Sequence, residues 1–127
     1  MFYGCGNLKA VFFQGNAPGL GSFVFESQTI YYLPGTSGWE ATLGNRPTVL
    51  WNPLLQAEDT SFGTLTNGFG FTITGTADIP IVLEACMNLT RGHWETVQSL
   101  SLTNGSVYFR DSSCQSYPAC FYRIRSP

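Results

Sequence analysis

The sequence predicts an all-β fold, and three observations carry the expectation. Apolar residues alternate with polar ones over short runs, at Phe69, Phe71 and Ile73, at Val107 and Phe109, and at Tyr122 and Ile124, which is the two-residue period of a half-buried strand. Asn67-Gly68 and Asn104-Gly105 punctuate these runs. A tight hairpin turn needs positive φ at its centre, which Asn and Gly tolerate best. No stretch keeps a helical stripe over the length of a helix.

Strands are expected near 61–65, 69–74, 79–86, 93–102, 107–111 and 120–125, with both Asn-Gly pairs as hairpin turns. About six or seven strands at this spacing suit an antiparallel β-sandwich, Ig-like in outline. Pro80 cannot donate to a ladder, so its strand is expected to start at an edge or a bulge. Around 51–60 the apolar TVLW gives way to NPLLQAEDT, with a proline and an adjacent Glu58-Asp59 pair that reads as a solvated turn. Two units follow: 1–50, a short β-rich segment, and 51–127, the sandwich.

A chain of 127 residues allows one domain, or one domain and a fragment. Hydrophobic residues make up 43% and aromatic residues 15%, but charged residues only 11%, against about 25% in an average globular protein. The chain therefore has the apolar area to fold around a core. A net charge of -2 with six basic residues offers no cluster to neutralise phosphates, which excludes a nucleic-acid partner. Apolar runs such as 79–85 fall far short of the roughly 20 residues that span a bilayer, so no membrane insertion is expected. The N-terminus MFYGCGNLKA lacks signal-peptide organisation, and any export signal is expected outside these residues. Low charge with frequent Gly, Ser, Thr, Asn and aromatic residues points to an extracellular β-protein.

Of the four cysteines, Cys5 and Cys86 sit in apolar patterns and read as small buried hydrophobes. Cys114 and Cys120 flank the turn-like QSYPA, where Tyr117-Pro118 favours a turn that brings the two together as a disulfide. No CxxC pair is present, so no zinc site is expected.

Two segments resemble known families. CGNLKAVFFQGNAP resembles the closing repeat of a BspA-type leucine-rich-repeat protein, a bacterial surface family, through Cys5, Leu8, Val11 and Phe13 and the GNAP turn at 15–18. TIYYLPGTSGW and NRPTVLW are similar to the segment that ends such arrays. The tail resembles a small C-terminal β-domain of large exported proteins of environmental bacteria, through Glu84, Asn88, Leu89, Trp94, Asn104, Gly105, Phe109, Asp111, Phe121, Tyr122 and Arg123. Cys114 and Cys120 depart from that pattern, standing where an aromatic and a basic residue are usual, and the double departure favours a private disulfide. The resemblance implies a secreted or cell-surface bacterial protein that carries a leucine-rich-repeat remnant before the sandwich, and it carries over no catalytic residues. A solenoid repeat buries its face only against a neighbour. Residues 1–50 are therefore expected to lean on the second unit or to form a homo-oligomer, covering Phe12, Phe13, Phe23 and Phe25.

An enzyme would have to recruit His93, the one histidine, with a serine such as Ser37, Ser61 or Ser106 and an acid such as Glu95 or Asp111. No G-x-S-x-G elbow is present, and the plainer reading of His93 is an exposed residue at the start of a strand. Asp111 is expected to cap a turn through its carboxylate rather than bind a metal. No cofactor and no metal are expected. Sugar binding needs aromatic planes against apolar sugar faces, with polar groups on the hydroxyls. Tyr31, Tyr32, Trp39, Trp51 and Tyr117 are the ligand-binding candidates, several of them beside Gly or Pro, with core packing as the plainer alternative for each. Trp94 is expected in the core. The sequons at Asn88 and Asn104 have no expected role. The expected function is a non-enzymatic surface, adhesion or ligand-binding module with a polysaccharide or surface-protein ligand. Carbohydrate binding through the exposed aromatics is one alternative, and a small esterase or glycosidase is the other.

Overall fold

The protein is described by a computed structural model covering residue 2, residues 4–21 and residues 24–127, with the backbone alone of Leu65. The chain divides into two compact units, Met1–Asn52 and Pro53–Pro127. No α-helix occurs among the described residues.

The first unit is built from parallel strands. β1 (Ala10–Phe13), β2 (Thr29–Tyr32) and β4 (Arg46–Leu50) lie side by side, and β3 (Thr42–Leu43) closes the far edge by pairing antiparallel with β4 through the two-residue turn Gly44-Asn45. The register aligns Val11, Ile30 and Thr48, then Phe12, Tyr31 and Val49, then Phe13, Tyr32 and Leu50. Matching positions at 11, 30 and 48 recur at a spacing just under the roughly 20–29 residues of a leucine-rich repeat. The first two coils also bond outside their strands. Phe2 N–H donates to the Val24 carbonyl, Ala17 N–H to the Ser37 carbonyl, and Ser37 N–H to the Asn16 side chain, each at 2.9 Å. Ile30 and Gln28 are fully buried, and Phe25 is buried with the rings of Phe2 and Phe13 against it. Phe23, expected to need cover alongside them, lies outside the described residues.

A buried amide costs about 1–3 kcal/mol if left without partners, and both polar atoms of the Gln28 side chain have one. Its Oε1 accepts from Glu26 N–H at 2.8 Å, its Nε2 donates to the Cys5 carbonyl at 3.3 Å, and its backbone carbonyl accepts from Arg46 Nε at 3.1 Å. One residue thus ties three successive coils. Cys5 is exposed, against the expectation of a buried hydrophobe. It sits in a turn, with its N–H bonded to the Phe2 carbonyl and its own carbonyl accepting from Leu8 N–H and Gln28.

The second unit holds two antiparallel sheets. β7 (Gly68–Thr74) is the centre of one, with β10 (Ser106–Asp111) on one side and β5 (Leu54–Gln56) and β6 (Gly63–Leu65) sharing the other. β8 (Pro80–Cys86) is the centre of the second, between β11 (Phe121–Arg125) and β9 (Glu95–Ser101). The sheets face each other across an aromatic cluster: Tyr122 from β11 lies 5.7 Å from Phe69, 5.1 Å from Phe71 and 6.0 Å from Phe109, ring centre to ring centre. Phe71, Ile73, Ile79, Ile81, Leu83 and Leu102 complete a dry interior. This is the two-sheet arrangement of a β-sandwich.

Several local expectations are corrected. Residues 66 and 67, not Asn67-Gly68, form the β6–β7 turn, because Leu65 pairs with Gly68. Asn104 and Gly105 do adopt positive φ, 57° and 81°, but the strands they join enter different sheets, so the turn is a corner and not a hairpin. β10 is drawn away because Phe109 and Val107 belong opposite Phe71 and Ile73, whereas β9 is exposed nearly throughout. Pro80 does not place its strand at an edge: it is the first residue of a central strand, where a missing donor costs least, and the bulge lies at Leu83/Glu84. β5 falls in a stretch read as boundary. Trp94 precedes β9 and is only half-buried, with the Arg123 guanidinium 4.3 Å above its ring. β8 is buried on both faces. Its Glu84, 6% exposed, is held by Arg123 Nε and Arg125 Nε from β11, each at 2.6 Å.

Gly68 combines positive φ with close approach to a neighbouring backbone. Its φ is 143°, and a Cβ there would lie 2.4 Å from the Asp111 carbonyl oxygen. Gly63 has nearly the same φ, 138°, but faces open space. Gly68→Ala is expected to lower stability in urea unfolding by about 3 kcal/mol, against about 1 kcal/mol for Gly63→Ala. Equal losses would show that close approach to Asp111 is not what selects glycine.

Candidate functional site

The five aromatic candidates fall into both units, and the strand register separates four of them. Tyr31 and Tyr32 are consecutive in β2 and so point to opposite faces. Tyr31 stacks on Phe12 at 4.7 Å, and Trp51 meets the same Phe12 edge-on at 6.1 Å. Tyr32 stacks on Trp39 at 4.9 Å, with Phe13 5.3 Å from the indole. Burial pushes the Tyr31 phenol up from its ordinary value. These rings pack on each other, and no single platform can hold all four. Only Tyr117 is largely open, at 49%, and it belongs to the second unit.

The loop from β10 to β11 positions Tyr117. Asp111, the last residue of β10, takes Ser113 N–H at 2.8 Å, Ser113 Oγ–H at 2.5 Å and Cys114 N–H at 3.3 Å on Oδ1, which winds residues Ser113–Ser116 into a 3₁₀ turn. Its Oδ2 accepts from Tyr122 Oη–H at 2.9 Å. The carboxylate therefore caps the turn as the sequence suggests, and it also reaches across to the other sheet. Tyr117 N–H donates to the Cys114 carbonyl at 3.1 Å, and the disulfide Cys114–Cys120, with Cα atoms 6.0 Å apart, closes the loop before β11. Cys5 and Cys86 are free, and Cys86 is buried.

Two concavities meet at Tyr117. A cleft of about 550 Å³ opens between this loop and the β8–β9 connection, which contributes Asn88, Arg91 and His93, with Glu95 at the start of β9. A groove of about 340 Å³ runs along Phe69, Pro118, Ala119 and the disulfide. Asn88 Oδ1 accepts from Thr90 N–H at 2.9 Å, and His93 Nε2 lies 3.3 Å from Glu95 Oε1, both residues well exposed. Composition alone does not reveal Asn88 and Arg91 as site residues. The available signal is that the polar run NLTRGHWE joins two strands at the sheet end where 112–120 also turns.

Among the described residues, none of the candidate serines is hydrogen-bonded to His93. Ser37 N–H serves Asn16, Ser61 Oγ lies 2.5 Å from Asp59 and 2.7 Å from Thr72 Oγ1, and Ser106 begins β10. Ser113 shares the cleft with His93 but donates its hydroxyl to Asp111. Burial raises the Asp111 carboxyl, yet the hydrogen bonds from Ser113, Tyr122 and Cys114 together outweigh it and leave the group below the usual carboxylate range. Burial, then the bond to Asp111 and its charge, push the Tyr122 phenol far above the usual range. Hydrogen bonds from Arg125 and Arg123 hold Glu84 low as well. Among the described residues, no group of three or more His, Cys, Asp or Glu could hold a metal ion, and no helix is long and apolar enough to cross a membrane.

Comparison of the chain with known protein families, curated proteins and solved structures finds no match. The chemistry of the site therefore carries the functional reading.

A carboxylate depressed in the folded state contributes stability that is complete above its unfolded value, about 3.9 for Asp, and that is lost as pH falls through the folded value. Unfolding in urea is expected to become easier as pH drops below about 4. Asp111→Asn keeps the volume and removes the charge. It is expected to cost about 2 kcal/mol at neutral pH and to shrink the acid limb to the part that Glu84 contributes. Wild-type acid dependence in that variant would remove Asp111 from the role.

Proposed function

We propose that this chain is a non-enzymatic binding module of a larger exported bacterial protein, and that it holds a carbohydrate ligand at the Tyr117 cleft. One observation carries the reading. A half-exposed aromatic side chain, on a loop fixed at both ends by Asp111 and the disulfide, stands over a cleft lined by an amide, a guanidinium, an imidazole and a carboxylate. Such a site offers a stacking face and hydrogen-bonding partners together, as small-molecule sites of about 300–1,000 Å³ do. The disulfide suits an oxidising compartment and so favours export to the cell surface. Parallel coils at 11, 30 and 48 support a leucine-rich-repeat remnant, and the two facing antiparallel sheets support an Ig-like sandwich. Turnover is the weaker reading, since a hydrolase needs its nucleophile bonded to a base, and here Ser113 and His93 each bond to a different carboxylate.

Saturable glycan binding is expected on titration calorimetry, abolished by Tyr117→Ala and retained by Tyr31→Ala in folded protein. Loss in the second variant alone would move the site to the first unit.

We also propose that the chain self-associates through 1–50. Among the described residues nothing pairs with the outer edge of β1, and Val11 is only half-buried although its column neighbour Ile30 is fully buried. Open edges template pairing between chains, and because β3 caps the opposite edge the expected form is a symmetric dimer. Light scattering that finds only monomer at high concentration would overturn this.

A further inference from the structure

We infer that Tyr117 divides one binding surface into two subsites, and that the site takes a neutral oligosaccharide of more than one sugar ring. The inference rests on the carbohydrate reading above and deepens it. Tyr117 lines both the cleft of about 550 Å³ and the groove of about 340 Å³. Each volume lies in the lower half of the roughly 300–1,000 Å³ typical of a small-ligand site. The two together, on either side of one shared aromatic wall, suit a ligand that passes over the wall.

Both present apolar and polar surface. The groove is lined by Phe69, Pro118, Ala119 and the disulfide, which suit the apolar face of a pyranose, with Thr64 and Gln115 able to meet its hydroxyls. The cleft presents Asn88, Arg91, His93 and Glu95, which suit the hydroxyl rim of a neighbouring ring. The cleft also selects against an anionic ligand. Arg91 and Glu95 oppose each other in sign, and the third charged group, Asp111, already accepts four hydrogen bonds, from Ser113 twice, Cys114 and Tyr122. One guanidinium against two carboxylates leaves no basic excess to hold an anionic sugar, whereas a neutral polyol can hydrogen-bond to Arg91 and Glu95 alike.

The test is a glycan array carrying the one- to four-ring members of β-glucan, chitin, xylan, galactan and mannan backbones. It is probed with the wild type, with Tyr117→Ala, and with Ala119→Trp and Thr64→Trp, which add bulk to the groove from its two walls. Wild-type affinity is expected to rise about tenfold or more from one ring to three on the bound backbone. In either tryptophan variant the ratio of three-ring to one-ring affinity is expected to fall to about one. Equal wild-type affinity at all lengths, with binding still lost in Tyr117→Ala, would overturn the two-subsite inference and leave the carbohydrate reading intact. No bound backbone at any length would overturn both.

Discussion

The hydrogen bond from Tyr122 to Asp111 crosses from one sheet of the second unit to the other, inside the aromatic cluster that the two sheets share. A phenol and a carboxylate so placed would each be costly alone. Together with the Ser113 and Cys114 donors they form a saturated network, which in a low-dielectric setting is rigid. Everything distal to Asp111 inherits that rigidity. The 3₁₀ turn starts from its carboxylate, the turn presents Cys114 to Cys120, and Tyr117 stands between the bridged cysteines. A core interaction thus fixes the one exposed aromatic that faces both cavities.

The first unit solves the same problem without antiparallel pairing. Its strands are too short to hold together by ladder bonds alone, and the aromatic columns and the Gln28 amide supply the remainder. Rings that read as ligand platforms in isolation are used there as spacers between coils. Tyr32 and Trp39 lie with their planes 10° apart, and Tyr31 and Phe12 with theirs 13° apart, so each ring's face is taken up by its neighbour.

The alternation at Phe69, Phe71 and Ile73, and that of β10 and β11, was legible because those strands bury one face. β8 was legible as a strand, although Glu84 breaks its apolar run, and the two arginines that neutralise it lie far along the chain. The first unit offered no strand alternation to read, since four-residue strands give almost no pattern, and only the resemblance of 5–18 to a repeat pointed towards stacked coils. The Asn-Gly pairs announced a local conformation that does form at 104–105, but local φ does not specify the partner strand, which burial decides. In the site, Tyr117 was visible as an aromatic beside proline between two cysteines. Its separation from Tyr31, Tyr32, Trp39 and Trp51 depends on which rings stack, which only the register reveals. Asn88 and Arg91 join it from another loop, through sheet topology.

The corner at Asn104 and Gly105 sets the order in which this unit can assemble. Because the turn directs its two strands into separate sheets, no early local ribbon can form there. β10 must instead find β7, with β8 and β9 lying between them in the chain, and β11 must reach back to β8. Loop closure is therefore incurred before most contacts repay it, which places the second unit among slow, topologically non-local folders. Until β10 and β11 are added, β7 and β8, its most apolar strands, each lack a neighbour: β10 completes the sheet of β7, and β11, which follows the disulfide loop, completes the sheet of β8.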